Sequence, residues 1–149
     1  MDNIYLMTVN KGKSNYDHLF QVLKNGFANK YLIRTTEYSS LSLLPSFAIE
    51  SNKKHINEFN EKLNPVIWLS MWSKNDLYQE DNNFPIRYKQ KEYFPVAEFR
   101  CSESLFLLEF LIPLIENDMD YLICNANNKL LSASKLKISF SEKNYGWAY

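Results

Sequence analysis

The sequence predicts an α+β fold: a single domain whose mainly antiparallel or mixed sheet packs around one hydrophobic helix, with two further helices. Three observations carry this prediction. Residues 102–117 hold Leu105, Phe106, Leu107, Leu108, Phe110, Leu111, Ile112, Leu114 and Ile115, interrupted only by Glu109 and Pro113, so a helix there must be covered on nearly every side. Strand-like segments recur along the whole chain, and those of the second half read as several antiparallel strands around that helix. The chain has 149 residues with 46% hydrophobic and 15% aromatic content, enough to bury about two-thirds of the unfolded surface in one core.

Residues 4–9 mix β-branched, aromatic and aliphatic side chains and read as a first strand. Ser14 and Asp17 form a variant capping box, and Leu19, Phe20, Leu23 and Phe27 recur at helical spacing, so a helix is expected over about 14–26 with Gly26 as its C-cap. Residues 31–36 form a second strand, residues 39–45 are ambiguous, and residues 47–50 read as a short strand or an extended linker. Ile56, Phe59 and Leu63 mark a surface helix over about 52–63, stopped by Asn64-Pro65. Val66, Trp68, Ser70 and Trp72 share one face of the next strand, and Ile67, Leu69 and Met71 share the other. Apolar residues on both faces imply a central strand, covered on both sides or on one side plus a partner. After a polar loop over 73–83, residues 86–89 and 93–101 read as a hairpin or one bent strand, confined by Pro85 and Pro95 to an edge or a bulge.

The apolar helix over about 102–117 is expected to be capped by Ser102 or Ser104 and kinked or broken near Pro113, with Glu109 on its one wet edge. It falls short of the roughly 20 residues that cross a bilayer, so no membrane span is expected. Residues 121–124 form a further strand, 125–128 a turn tolerant of left-handed backbone, and 129–133 a return arm. Leu136, Ile138 and Phe140 alternate with Lys135, Lys137 and Ser139, the period of a half-exposed strand.

Composition excludes several function classes. Lys plus Arg and Asp plus Glu both total 17, so no global charge attracts a nucleic acid. Three glycines and the absence of GxGxxG or GxxxxGK[ST] leave no phosphate cradle. His18 and His55 lack a second ligand at i+3 or i+4, and Cys101 and Cys124 lack a CxxC, so neither metal nor cofactor is expected and both cysteines read as inert thiols of a cytoplasmic protein. Asp76, Glu80 and Asp81 miss the EF-hand spacing and read as a solvated acidic loop around Leu77 and Tyr78. Arg87, Lys89 and Lys91, placed on one face of a strand near Tyr88 and Tyr93, read as charges guarding a sheet edge. Single-stranded nucleic-acid binding through 87–91 is the alternative use.

Tyr145, Trp147 and Tyr149 close the chain. They form either a flap pinned on the core or an exposed patch, and the cost of exposing contiguous apolar surface favours pinning; any that stay outside are strong anchors for a partner. Tyr5, Leu6, Met7 and Thr8, followed by a helix with Leu19, Val22, Leu23, Gly26 and Phe27, resemble the start of some ADP-ribosyltransferase-like proteins, where a Tyr-His-x-Thr strand precedes such a helix. The resemblance implies a small enzyme or nucleotide-binding domain with a concave site near Tyr5 and Thr8. Leu6 stands where that pattern has histidine, and no catalytic residue carries over.

The function expected from these residues is a non-catalytic protein-binding module, of the kind typified by bacterial or phage immunity proteins that neutralise a toxin by covering its surface. Asp76, Glu80 and Asp81 would steer a basic partner, a toxin or nuclease, and Tyr78, Tyr145, Trp147 or Tyr149 would anchor it.

Overall fold

The computed structural model of the protein describes residues 4–10, 16–27, 29–36, 46–51, 65–71, 85–116, 118 and 120–149. In chain order the elements are β1 (Ile4–Thr8), α1 (Tyr16–Gly26), β2 (Tyr31–Thr36), β3 (Ser46–Ser51), β4 (Val66–Met71), β5 (Ile86–Tyr88), β6 (Lys91–Arg100), α2 (Ser104–Glu116), β7 (Tyr121–Cys124), β8 (Leu130–Leu131) and α3 (Ala133–Ser141), then a short 3-10 turn, Tyr145–Ala148. The eight strands form one sheet in the order β2-β3-β4-β6-β1-β7-β8, with β5 paired to β6, and every pairing is antiparallel. The fold is therefore α+β, a single-domain arrangement with three α-helices among the described residues.

Strand register explains why the sheet has one dominant apolar face. Side chains alternate along a strand, so residues paired in register stand in rows across the sheet. One row reads Ile33, Ile49, Ile67; the next reads Phe47, Leu69, Phe99, Ile4; a third reads Met71, Ala97, Leu6, Ile123. Apart from half-buried Ile33, all of these are buried. Helix α2 lies on this face through Leu107, Leu108, Phe110, Leu111, Leu114 and Ile115, and α1 adds Leu19 and Leu23. Phe110 is central: its ring centroid is 5.0 Å from Phe27, 5.3 Å from Tyr31 and 6.2 Å from Phe99. Each such fully buried large side chain contributes about 1.5–3 kcal/mol over leaving it in water.

The apolar helix runs unbroken through Pro113 to Glu116. Proline removes the hydrogen bond to the carbonyl of Glu109, but Leu114 and Ile115 beyond it are buried, and that burial offsets the lost bond. The Glu109 carboxylate sits on the half-exposed edge, 3.2 Å from Lys30 Nζ, as the wet-edge reading expects. Capping differs from expectation. Neither serine caps α2; the Glu103 carbonyl accepts the first helical hydrogen bond, from Leu107 N, and its carboxylate accepts one from Leu105 N. A carboxylate there also meets the positive end of the helix dipole.

Two further expectations are corrected. Gly26 is the last residue of α1, and no left-handed glycine ends the helix. Residues 134–140 are helical, not extended: the Ser132 hydroxyl accepts a hydrogen bond from Lys135 N and starts α3, which buries only Leu136 and leaves Ile138 and Phe140 exposed. The helix ends with Lys143 in a left-handed conformation (φ 51°), while Lys143 N donates to Phe140 O and Asn144 N donates to Ser139 O. This is a Schellman closure with lysine where glycine is usual, so the glycine-based stop signal is absent from the sequence.

Pro95 lies in a strand that β1 and β4 flank, yet it interrupts no ladder. Leu6 pairs with Ala97 and Met7 with Pro95, which leaves Val96 as the extra residue of a bulge. On the opposite edge of β6, residues 91–93 pair with β5 and residues 97–100 with β4, so Pro95 falls between the two partners, where no N–H is needed. Strand β4, finally, is covered on one face only among the described residues: Ile67, Leu69 and Met71 are buried, while Trp68 is 50% exposed and Ser70 is exposed. The expected helix at 52–63 lies outside the described residues.

Candidate interaction surface

At the β7 end of the sheet the chain terminus is locked in place by one buried side chain. Asn125 follows β7 and is only 2% exposed. Its Nδ2 donates to the carbonyls of Trp147 (3.3 Å) and Tyr149 (3.1 Å), and its Oδ1 accepts from Asn127 N (3.1 Å) and Lys129 N (3.0 Å). An asparagine amide has two donor hydrogens and two acceptor lone pairs, so Asn125 uses its whole capacity. The turn it organises places Asn128 at φ 60°, a conformation asparagine tolerates, and returns the chain to β8.

The tail completes the lock. Ala126 N donates to Ala148 O at 2.9 Å, and the indole Nε1 of Trp147 donates to Ser104 O at 3.2 Å, where α2 begins. Asn144 Oδ1 accepts from Gly146 N at 3.0 Å, which holds the entry to the 3-10 turn. Trp147 and Ala148 are buried, whereas Tyr145 and Tyr149 are 60% and 59% exposed. The tail is thus a pinned flap with two aromatic rings turned outward. Trp147 is its peg, and Tyr145 and Tyr149 are what a partner can reach. Asn125 was read from sequence only as a turn residue; nothing in one chain shows that a turn amide will meet a segment more than twenty residues later.

A second exposed surface lies on the open face of the sheet at the β2 end. Arg34, Ala48, Trp68 and Arg100 stand in register across β2, β3, β4 and β6. Arg34 pairs with Glu50, and Arg100 Nε is 3.2 Å from Glu98, so both guanidinium groups are already partnered. Leu32 (48% exposed) and Trp68 are the large apolar residues of this face. The sequence left the Trp68 face either covered or open to a partner; the polar Ser70 beside it on the same face was the signal that this side is wet.

The other sequence-derived candidates fall as follows. Asp76, Tyr78, Glu80 and Asp81 lie outside the described residues. Arg87, Lys89 and Lys91 do not share a strand face: Lys89 and Gln90 form the left-handed turn of the β5–β6 hairpin, Arg87 pairs with Glu92, and Lys91 pairs with Tyr88. Lys89 Nζ instead sits 5.3 Å from the Tyr88 ring centroid and Lys135 Nζ 6.0 Å, a cation–π cluster that fastens α3 to the hairpin. Thr8 is fully buried; its hydroxyl accepts from Asn10 N and also contacts Asn10 O. Burial pushes the Cys101 and Cys124 thiols up to about 11, so both stay protonated at neutral pH. Among the described residues no group of three His, Cys, Asp or Glu side chains is placed to hold a metal ion, and no helix is long and apolar enough to cross a membrane. Comparison with known proteins identifies no family, no curated relative and no solved structure that matches this chain.

Proposed function

We propose that this chain is a non-catalytic protein-binding module of the cytoplasm that acts by covering a surface of another protein, in the manner of an immunity protein that neutralises a bacterial toxin or nuclease. The observation that supports this most is the locked terminus. The Asn125 amide, the backbone bond from Ala126 N to Ala148 O and the Trp147 indole hold the two exposed tyrosines in place. Rigid, exposed aromatics lose little conformational freedom on binding, which makes them efficient anchors. Tyr145 and Tyr149 anchor the partner, Trp147 holds their frame, and Asp76, Glu80 and Asp81, with Tyr78 among them, steer a basic surface toward it.

The test is affinity capture from the native host, followed by two variants against the protein retained. Tyr145→Ala/Tyr149→Ala should weaken binding by about a thousandfold, the loss expected of two anchors at roughly 2 kcal/mol each. Asp76→Lys/Glu80→Lys/Asp81→Lys should lower the association rate and its dependence on salt. Capture of no protein, or a partner indifferent to both variants, overturns the proposal.

A further inference from the structure

The turn of the β5–β6 hairpin and the first turn of α3 together build a cluster of positive charge around one aromatic ring. Lys89 Nζ lies 5.3 Å and Lys135 Nζ 6.0 Å from the Tyr88 ring centroid. Lys91 stands opposite Tyr88 in the ladder, so its side chain leaves the same face of the hairpin as that ring. All three lysines are exposed, Tyr88 is half-exposed, and no ion pair among the described residues reaches any of the three ammoniums. Neighbouring cations are answered. Lys137, on the same helix as Lys135, meets Glu116, and Arg87 stands opposite Glu92 on the other face of the hairpin. Guarding a sheet edge does not account for the cluster, because none of the three lies on the outer strand β5: Lys89 is in the turn, Lys91 is in β6 and Lys135 is in a helix. Like charges gathered on one ring repel one another, so a ligand that carries negative charge relieves them.

We propose that this cluster binds single-stranded nucleic acid, with backbone phosphates at Lys89, Lys91 and Lys135 and one base on the Tyr88 ring. Sequence alone points for this use to Arg87, Lys89 and Lys91; the assembled fold turns Arg87 away and brings in Lys135. The ammoniums set the sign of the ligand. Their spread over a turn, a strand and a helix suits several negative charges along a flexible chain better than one small anion, and lysine meets a phosphate as a point charge without demanding a fixed orientation. The ring among them favours a nucleic acid over an acidic peptide, because a base stacks on a tyrosine face and a carboxylate side chain gains nothing from it. The whole chain carries no net charge, so the attraction is local and salt-sensitive, without long-range steering. None of these residues belongs to the tyrosine surface of the tail, so neither proposal stands or falls with the other.

The test is fluorescence anisotropy of the full chain with a labelled oligo(dT) of about 12 nucleotides, titrated at several salt concentrations, with labelled polyglutamate of the same length as the acidic-peptide probe. The oligonucleotide is expected to bind more tightly than polyglutamate, and its log K should fall against log salt with a slope of about −2, the value for three phosphates on a single strand. Lys89→Gln, Lys91→Gln and Lys135→Gln should each weaken binding at low salt and make the slope shallower by about 0.7. Tyr88→Leu should weaken binding by about fivefold or more and leave the slope unchanged, since it removes stacking and no charge. Arg87→Gln, on the opposite face, should alter neither quantity. Absence of binding at low salt, a slope indifferent to Lys135→Gln, an equal loss in Arg87→Gln, or polyglutamate bound as tightly as the oligonucleotide would each overturn the assignment.

Discussion

The two ends of the sheet solve the same packing problem differently. At the β7 end both faces are covered: helices α2 and α3 and the Trp147 flap lie on one side, and a second core of Met7, Tyr93, Leu122, Cys124 and Leu130, joined by Ile86 and Tyr88 of the β5–β6 hairpin, lies on the other. At the β2 end, among the described residues, only the α1 and α2 side is covered, and Leu32 and Trp68 are exposed. Two of the three tryptophans, Trp147 and Trp68, make the contrast concrete. Trp147 is 4% exposed with its indole N–H bonded, and Trp68 is 50% exposed in the middle of the sheet. Residue type does not decide whether a tryptophan is structural; what decides is whether some other element passes over it.

Replacing each tryptophan by alanine gives the sharpest test of that contrast. Trp147→Ala should destabilise the fold by about 4 kcal/mol in urea unfolding followed by circular dichroism, as expected for a fully buried large side chain. Asn125→Ala should cost about 3 kcal/mol, since it leaves buried backbone groups of the turn and the tail unpaired, and should shift Trp147 emission to longer wavelength as the flap opens. The two losses should add to less than their sum, because both act on one flap. A full sum would mean that Asn125 and Trp147 act independently.

Alkaline pH probes the cores beneath both ends. Tyr31, Cys101 and Cys124 all have folded-state values raised by burial, to about 12, 11 and 11, against ordinary values of 10, 9 and 9. Between each pair of values the folded chain holds the proton that the unfolded chain has lost, so stability should decline as pH rises from about 9 to about 12. Cys101→Ala/Cys124→Ala should postpone the onset of the decline to about pH 10; an unchanged onset would show that neither thiol is withheld from water. A smaller effect of opposite sign is expected at the end of α3, where Lys143→Gly relieves a left-handed backbone and should stabilise by roughly 1 kcal/mol. The smallest change should come from Trp68→Ala, below about 1 kcal/mol, in keeping with a half-exposed ring. A loss comparable to that of Trp147→Ala would mean that this face is covered in solution.

Much of this architecture was legible in the chain. The strands over 4–8, 31–36, 66–71 and 121–124 followed from alternation and β-branched content, and the apolar run over 105–115 identified the central helix because such a segment has to be enclosed. What misled was local pattern without context. Leu136, Ile138 and Phe140 alternate like a strand, yet a single Ser132 cap and one buried contact at Leu136 made a helix of them. Of the candidate site, Tyr145, Trp147 and Tyr149 were visible as aromatics, but their division into one peg and two outward rings was not.

The amino-acid order alone determined most of the elements, their apolar faces and the absence of a glycine-rich phosphate cradle, because hydrophobic periodicity and residue chemistry act over a few neighbours. Tertiary structure alone decided which tryptophan is covered, how Asn125 spends its four hydrogen bonds, and that Lys135 joins Lys89 and Lys91 around Tyr88. Those outcomes depend on contacts between segments distant along the chain, and only the assembled sheet brings such segments within bonding distance.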